Sequence, residues 1–231
     1  MFPRNQNPDQ RFERLKRRIK AACEAVGRPA TSVRLLAVSK TQPAEKIRAL
    51  TQMGQLAFGE NYVDEALEKI QALADLGLEW HFIGPIQSNK TRAIAEHFDW
   101  VQGIDRAKIV RRLAEQRPEA SAPLNLLIQV NLDGEAQKAG CEPDQIDELA
   151  SLIDDLPGLK LRGLMAIPAP RSEPEAQKQV FSLLRKLFDQ LAERYPDIDT
   201  LSAGMSGDLE AAIAAGSTMV RVGTDLFGKR E

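Results

Sequence analysis

Lys40 closes the stretch Leu36-Ala37-Val38-Ser39-Lys40, where a run of mostly branched apolar residues gives way to polar ones. A lysine at such a boundary faces low-dielectric walls. Desolvation disfavours its charged form and frees the amine to attack a carbonyl carbon. A surface lysine at a strand end has the same local sequence, so position alone weighs the two readings evenly. Two other segments could hold an anion. Ser206-Gly207-Asp208-Leu209-Glu210 reads as the start of a helix with Ser206 at its N-cap, where free N–H groups and the helix dipole favour phosphate. Arg221-Val222-Gly223-Thr224 ends an apolar run, and Gly223 lets backbone amides approach an anion closely. A serine N-cap is most often only a cap; the pair of segments is more specific than either one.

A nucleophilic lysine with a phosphate cradle suits pyridoxal 5′-phosphate (PLP) held as a Schiff base. It also suits a phosphosugar bound through the same lysine, as in an aldolase. Composition and spacing do not separate these.

These residues need a scaffold, and the chain supplies a regular one. Eight short apolar runs occur at residues 33–38, 55–58, 79–83, 100–104, 124–130, 160–167, 200–203 and 217–222. Near-continuous apolar runs suit strands buried on both faces of a parallel sheet. Segments of helical period lie between them, at 43–53, 61–76, 88–98, 106–116, 145–156, 173–195 and 206–215, and one more over 9–26 precedes the first strand. Eight alternations in one chain predict an α/β fold: a single (β/α)8 TIM-type barrel with an extra N-terminal helix. An open sheet has the same alternation. One domain over residues 1–231 is expected, with 1–8 extended or disordered.

A barrel collects its active groups at the C-terminal ends of its strands. Ser39 and Lys40 follow the first run, Glu60 and Asn61 the second. His81, Gly84 and Gln87 lie within and after the third, and Asn131 after the fifth. Met165 lies in the sixth. Ser202, Gly204 and Ser206 follow the seventh, and Arg221, Gly223 and Thr224 end the eighth. The polar residues therefore gather on one expected rim, as a single site requires.

Composition removes other classes. The 231 residues carry a net charge of −2, with a sequence pI of about 5.9, which favours neither nucleic acid nor an anionic membrane surface. The basic residues Arg11, Arg14, Lys16, Arg17, Arg18 and Lys20 alternate with Phe12, Leu15 and Ile19, as on the solvated face of an amphipathic helix. Cys23 and Cys141 form no disulfide framework and no zinc spacing. Cys23 is expected in helix packing and Cys141 in a loop as a free thiol. No signal-peptide core or membrane-length run is present, so the expected setting is the cytoplasm.

The motifs resemble one family in particular. Leu36 to Thr41, Phe58-Gly59-Glu60-Asn61-Tyr62, Trp80 to Lys90, Gly163-Leu164-Met165-Ala166-Ile167, Ser202-Ala203-Gly204-Met205-Ser206, Gly216 to Thr224 and Phe227-Gly228 are similar, in register, to the PLP homeostasis proteins (the YggS/PROSC family). That resemblance implies a barrel like the N-terminal domain of alanine racemase, with PLP as a covalent imine on Lys40. It implies that Ser206, Gly223 and Thr224 hold the phosphate, Arg221 faces the pyridine nitrogen, and Asn61 and Met165 line the pocket. The implied role is vitamin B6 and amino-acid homeostasis, without catalytic turnover. Apo forms of PLP-dependent enzymes are candidate acceptors, and the expected state is a monomer or weak dimer.

Three positions depart from the family pattern. Ala203 stands in place of a methionine, Gly207 in place of a larger residue, and Asp225 in place of an alanine. Asp225 is expected to place a negative charge near the phosphate and weaken binding.

The alternative is an amino-acid racemase. An arginine at the pyridine nitrogen disfavours ring protonation and mutes carbanion chemistry, and a racemase needs a second base opposite Lys40. The tyrosine that serves alanine racemase lies partly on a further domain, which a chain running to Glu231 is expected to lack. Of the two tyrosines, Tyr62 reads as a helix-start anchor and Tyr195 as structural. His81 is then the candidate base; its plain reading is a histidine satisfied inside its strand.

Overall fold

Strands with apolar side chains on both faces must be covered on both, and a barrel does this with its own interior and a ring of helices. A computed structural model describes residues 7–134, 139–171 and 173–228. In it β1 (Arg34–Val38), β2 (Ala57–Glu60), β3 (Glu79–Phe82), β4 (Trp100–Ile104), β5 (Leu124–Gln129), β6 (Leu159–Met165), β7 (Thr200–Ser202) and β8 (Met219–Val222) form a closed barrel in chain order. Every pairing is parallel. β8 closes on β1 with Leu36 opposite Arg221 and Ala37 opposite Val222, while Val38 on the other side meets Gly59 of β2. Closure excludes the open-sheet alternative.

Helices α1 (Pro8–Glu24), α2 (Ala44–Gln52), α3 (Val63–Ala72), α4 (Thr91–His97), α5 (Ala107–Gln116), α6 (Ile146–Asp154), α7 (Pro174–Ala192), α8 (Leu209–Ala214) and α9 (Thr224–Phe227) surround it. The helical pattern of 61–76 is split. α3 ends at Ala72, and a 3-10 turn, Ala74–Leu76, runs into Gly77, whose φ of 58° stops the helix. Residues 1–6 lie outside the described residues. Asn7 caps α1 by accepting the Asp9 N–H, and Pro8 opens it.

α1 buries Phe12, Leu15, Ile19 and Cys23, one stripe at helical spacing, of which the three larger side chains contribute roughly 1.5–3 kcal/mol each if fully removed from water. The opposite face is not wholly solvated, as the charge pattern had suggested. Arg18 reaches α8 and α9: Nε and Nη2 donate to Glu210, and Nη1 donates to Asp225 Oδ2 at 2.7 Å. Inside the barrel the lower layer is aromatic and cationic. The His81 ring stacks on Trp100 with centroids 5.1 Å apart, and the Arg162 guanidinium lies 4.8 Å from the centre of the Trp100 ring. Among the described residues no helix is long and apolar enough to cross a membrane, and no cluster of metal-ligating side chains occurs.

Candidate functional site

Lys40 sits in the turn that follows β1, and the turn is held on both flanks. The Ser39 carbonyl accepts from Gln42 N–H at 3.0 Å and from the Lys69 ammonium at 2.8 Å. The Thr41 N–H donates to Glu65 Oε1 at 2.6 Å. Thr41 has a φ of 62°, a conformation that costs an L-residue with a Cβ about 1–2 kcal/mol. Such strain persists only where the surroundings fix it, and here they do. Lys69 is the hub. Its ammonium also meets Glu60 Oε1 at 2.8 Å and Glu65 Oε1 at 2.5 Å, and the Ser39 hydroxyl donates to Glu60 Oε1 at 2.6 Å.

This cluster corrects the sequence reading of Ser39 and Glu60. Both were expected on the active rim. Glu60 is instead the last residue of β2 and is fully buried, pointing outward to Lys69 on α3. The alternation of a strand sends residues of opposite parity to opposite faces, so Ser39 and Glu60 support the lysine turn from outside the barrel. Burial pushes the Glu60 carboxyl pKa up, and the hydrogen bonds from Lys69 and Ser39 only partly oppose it. Lys69 itself was not singled out; a lysine in an amphipathic helix looks solvated until its burial is seen.

One cavity of about 320 Å³ opens at the C-terminal end of the barrel. Lys40, Asn61, Ser206, Arg221, Gly223 and Thr224 all line it, joined by Val38, Ile83, Ile167 and Met205. Six of the seven expected cofactor residues therefore share one space. Met165 does not: it is fully buried and packs with Trp100 and Leu127 in the barrel interior. A second groove, of about 430 Å³ but shallower, runs between α1 and α8 along Ala21, Ala22, Ala25 and Val26, and holds only the Arg18–Glu210 pair.

The phosphate-cradle loops differ in detail from the sequence reading. Ser206 is not an N-cap. α8 begins at Leu209, and residues 206–208 form a turn in which the N–H groups of Asp208 and Leu209 donate to Met205 O. Asp208 Oδ1 accepts the Met205 N–H at 2.6 Å, so the aspartate organises the turn and Ser206 is left facing the cavity. Gly223 caps α9, and a Cβ there would lie 3.1 Å from the Val38 carbonyl oxygen, so the loop approaches β1 too closely for a side chain without a shift. Gly207 is open: nothing lies within 4 Å of a Cβ placed on it. Ala203 is buried in the core and its carbonyl accepts the Ser217 hydroxyl at 2.7 Å. Asp225 is engaged by Arg18, which answers the expected repulsion with a neighbouring positive charge.

Arg221 is 3% exposed yet lines the cavity. Nη1 donates to Ser202 Oγ at 2.7 Å and Nη2 to the Ala166 carbonyl at 2.8 Å. Burial lowers its pKa to about 10, still well above neutrality, so the guanidinium stays charged. Asn61 contributes a buried Oδ1 that has no hydrogen-bond partner among the described residues, an unmet acceptor on a cavity-lining residue.

His81 does not reach the cavity. It is fully buried within β3, Nε2 is 2.6 Å from Glu79 Oε1, and Nδ1 is 2.9 Å from Gln102 Nε2. Both ring nitrogens are occupied, which fits the plain reading of this histidine. Asn131 is buried and bonds Glu142 and Cys141, away from the cavity. Ser202 is the last residue of β7 and is fully buried beneath Arg221. Tyr62 is 57% exposed and anchors nothing by burial, whereas Tyr195 packs against the core. Both cysteines are buried and unpaired, and burial raises the Cys141 thiol to about 12.

The model of the alanine racemase N-terminal domain matches residues 11–231. A pyridoxal phosphate homeostasis protein of Vibrio cholerae is 57% identical over 226 residues, 96% of each chain. Among solved structures, PipY of Synechococcus elongatus with PLP bound is similar with a TM-score of 0.80 and 35% identity, over 96% of this chain and all of that one. Alanine racemase from Corynebacterium glutamicum is 15% identical with a TM-score of 0.70, covering 95% of this chain and 62% of that chain, a likeness of fold alone.

Proposed function

We propose a role from the premise that this chain belongs to the pyridoxal phosphate homeostasis family, whose barrel is that of the alanine racemase N-terminal domain: it binds PLP covalently on Lys40 and serves vitamin B6 homeostasis. The observation that carries the reading is the single cavity shared by Lys40, Asn61, Ser206, Arg221, Gly223 and Thr224. Its volume of about 320 Å³ lies in the range of small cofactor sites.

The residues fit that cofactor. When bound, PLP supplies an aldehyde, which a primary amine attacks with loss of water. Lys40 is that amine, on a turn fixed by Lys69 and Glu65. Ser206 offers a hydroxyl to a phosphate, and the N–H groups of Thr224 and Asp225 open α9 beside it, those of Leu226 and Phe227 being taken by the Gly223 carbonyl. Gly207 leaves room at the same wall. Arg221, held by Ser202 and Ala166, would set a fixed positive charge at a pyridine nitrogen and disfavour its protonation. The Asn61 amide, with its unmet oxygen on the cavity wall, would be free to accept a hydrogen bond from the bound cofactor.

On this reading the protein is a carrier without turnover, with PLP-dependent apoenzymes as its acceptors, and its two free thiols suit a reducing cytoplasm. The racemase alternative needs a second base, and His81, the candidate, is engaged on both nitrogens.

A spectrum of the purified protein with added PLP tests the proposal. A visible band is expected, which borohydride fixes to the Lys40 peptide and which Lys40→Ala removes. A protein that takes up no PLP, or an adduct mapped to another lysine, rejects it. Deuterium exchange at the Cα of alanine or serine, lost in His81→Ala, would favour the enzyme instead.

A further inference from the structure

The interior of a (β/α)8 barrel is ordinarily filled by branched apolar side chains in layers. Here three polar side chains occupy it in series. Ser202 of β7 donates its hydroxyl to Gln102 Oε1 of β4 at 2.7 Å, and Gln102 Nε2 meets His81 Nδ1 of β3 at 2.9 Å. The amide nitrogen is also 3.3 Å from Met219 Sδ of β8. β4 has neither β7 nor β8 as a neighbour in the closed order, so these bonds run through the barrel. All three side chains are 0% exposed.

The chain has two ends. One is Arg221 at the cavity, donating to Ser202 at 2.7 Å. The other is Glu79 at the first residue of β3, which accepts from His81 at 2.6 Å and from Arg34 Nη2 at 2.7 Å. The donor directions follow from chemistry. A carboxylate only accepts, so His81 presents Nε2–H to Glu79. Burial keeps the imidazole neutral, so Nδ1 must accept, and Gln102 must turn its NH₂ toward it. Gln102 Oε1 then faces Ser202, which donates and in turn accepts from Arg221. Every donor from Arg221 to His81 points the same way. Such aligned bonds polarise one another, and the series ends on an anion.

A buried guanidinium without a carboxylate beside it is costly unless something distant compensates. Among the described residues no carboxylate is hydrogen-bonded to Arg221; its partners are Ser202 and the Ala166 carbonyl, and the charge of Asp208 acts on it only through space. We infer that Ser202, Gln102 and His81 are positioning residues that carry the charge of Glu79 across the barrel to Arg221, orienting its guanidinium toward the cavity. The inference rests on the PLP-binding reading for its consequence, but the relay itself can be read without ligand.

Two measurements on the full chain test it. The sequence holds two histidines, His81 and His97, so long-range ¹⁵N–¹H correlation of histidine-labelled protein identifies the ring state directly. His81 is expected as the single Nε2–H tautomer in the ligand-free protein, and Gln102→Leu should release it to a mixture. An Nδ1–H tautomer or a mixture in the parent protein overturns the relay. The second measurement is the visible band and PLP dissociation constant of Gln102→Leu and Glu79→Gln, with Leu127→Val as a packing control in the same interior. Glu79→Gln keeps an acceptor for His81 and removes only the charge, at the half-buried start of β3, so it provides a second variant where Gln102→Leu misfolds. Both variants should move the band and weaken PLP binding, Gln102→Leu on the order of tenfold as for groups that orient a ligand-holding residue, and Leu127→Val should move neither. An unchanged band and affinity in Glu79→Gln overturns the inference. A parent protein that binds no PLP rejects the proposed function instead, and the tautomer then decides the relay alone.

Discussion

The Lys69 ammonium donates to the main-chain carbonyl of Ser39 at 2.8 Å, so a buried cation grips the residue next to Lys40. The same ammonium neutralises Glu60, which is fully buried, and Glu65, which in turn holds Thr41. Removing it strands a carboxylate in the helix layer. Lys69→Met should lower the unfolding free energy by about 3–5 kcal/mol, because breaking one half of a buried pair leaves the other unpaired. Adding Glu60→Gln should recover part of that loss. Urea unfolding of the single and double variants reads both effects, and a neutral Lys69→Met would show that the cluster does not hold the turn.

Asp225 provides a second prediction, because its charge is already matched by Arg18 at 2.7 Å. Asp225→Ala should therefore not tighten PLP binding, as simple repulsion of a phosphate would require. It should instead free one arm of Arg18 and cost up to about 1 kcal/mol, the range of partly exposed ion pairs. Comparing PLP dissociation constants and melting temperatures at low and high salt separates the outcomes; tighter binding in Asp225→Ala would refute the matched-charge account.

Gly84 has no room for a side chain. A Cβ would lie 2.3 Å from the Asn61 carbonyl oxygen and 2.8 Å from its Cα, and both are backbone. Gly84→Ala should displace Asn61 at the cavity wall, with a packing cost of about 1–3 kcal/mol and a loss of PLP affinity beyond that of Asn61→Ala. Isothermal titration of the two variants provides the comparison.

The acid limb of the stability profile should carry two separate windows. Burial holds the His81 pKa below its ordinary 6.5 against the opposing pull of Glu79. Below that pH the unfolded chain binds a proton that the folded protein refuses, so stability is full above it and falls as the pH drops. Burial alone would raise Glu79, but the hydrogen bond from His81 and the neighbouring Arg34 outweigh it and bring the carboxyl to about 2. Its contribution is present above the ordinary carboxyl value of 4.5 and is lost as the pH falls through about 2. Urea midpoints measured from neutral pH down to about pH 5 should fall less steeply in His81→Gln than in the parent. Parallel slopes would mean that the ring titrates as it does in the unfolded chain.

Much of this was legible in the sequence for one physical reason: barrel strands are buried on both sides, so they stand out as apolar runs. Trp100–Ile104 was bounded correctly from composition alone. The lysine turn and the two loops expected to hold an anion do follow strand ends, and all three line one cavity. Ser206 was misread because Ser206 and Asp208 are both good N-cap residues, and only the Asp208 bond to Met205 N–H decides between them. Glu60 was placed beyond its strand because the second run was bounded at 55–58 and not at Ala57–Glu60, whereas Met165 and Ser202 do end β6 and β7 and spacing alone does not show that both are fully buried. The Ser202–Gln102–His81 series could not be found by spacing, since its members lie on three strands far apart in the chain. Its one trace is a polar residue at interior parity within an apolar strand, Gln102 two residues after Trp100.

The closing seam between β1 and β8 sets an order in time as well as in space. Lys40 leaves the ribosome early, whereas Arg221, Gly223 and Thr224 follow only after every intervening β/α unit. Pairings between such distant segments are the slow ones in folding. A nascent chain therefore displays Lys40 before the residues of β8 stand beside it, and the cavity they share is complete only at the last closure. On the proposed reading, PLP would be loaded after synthesis, on the finished barrel.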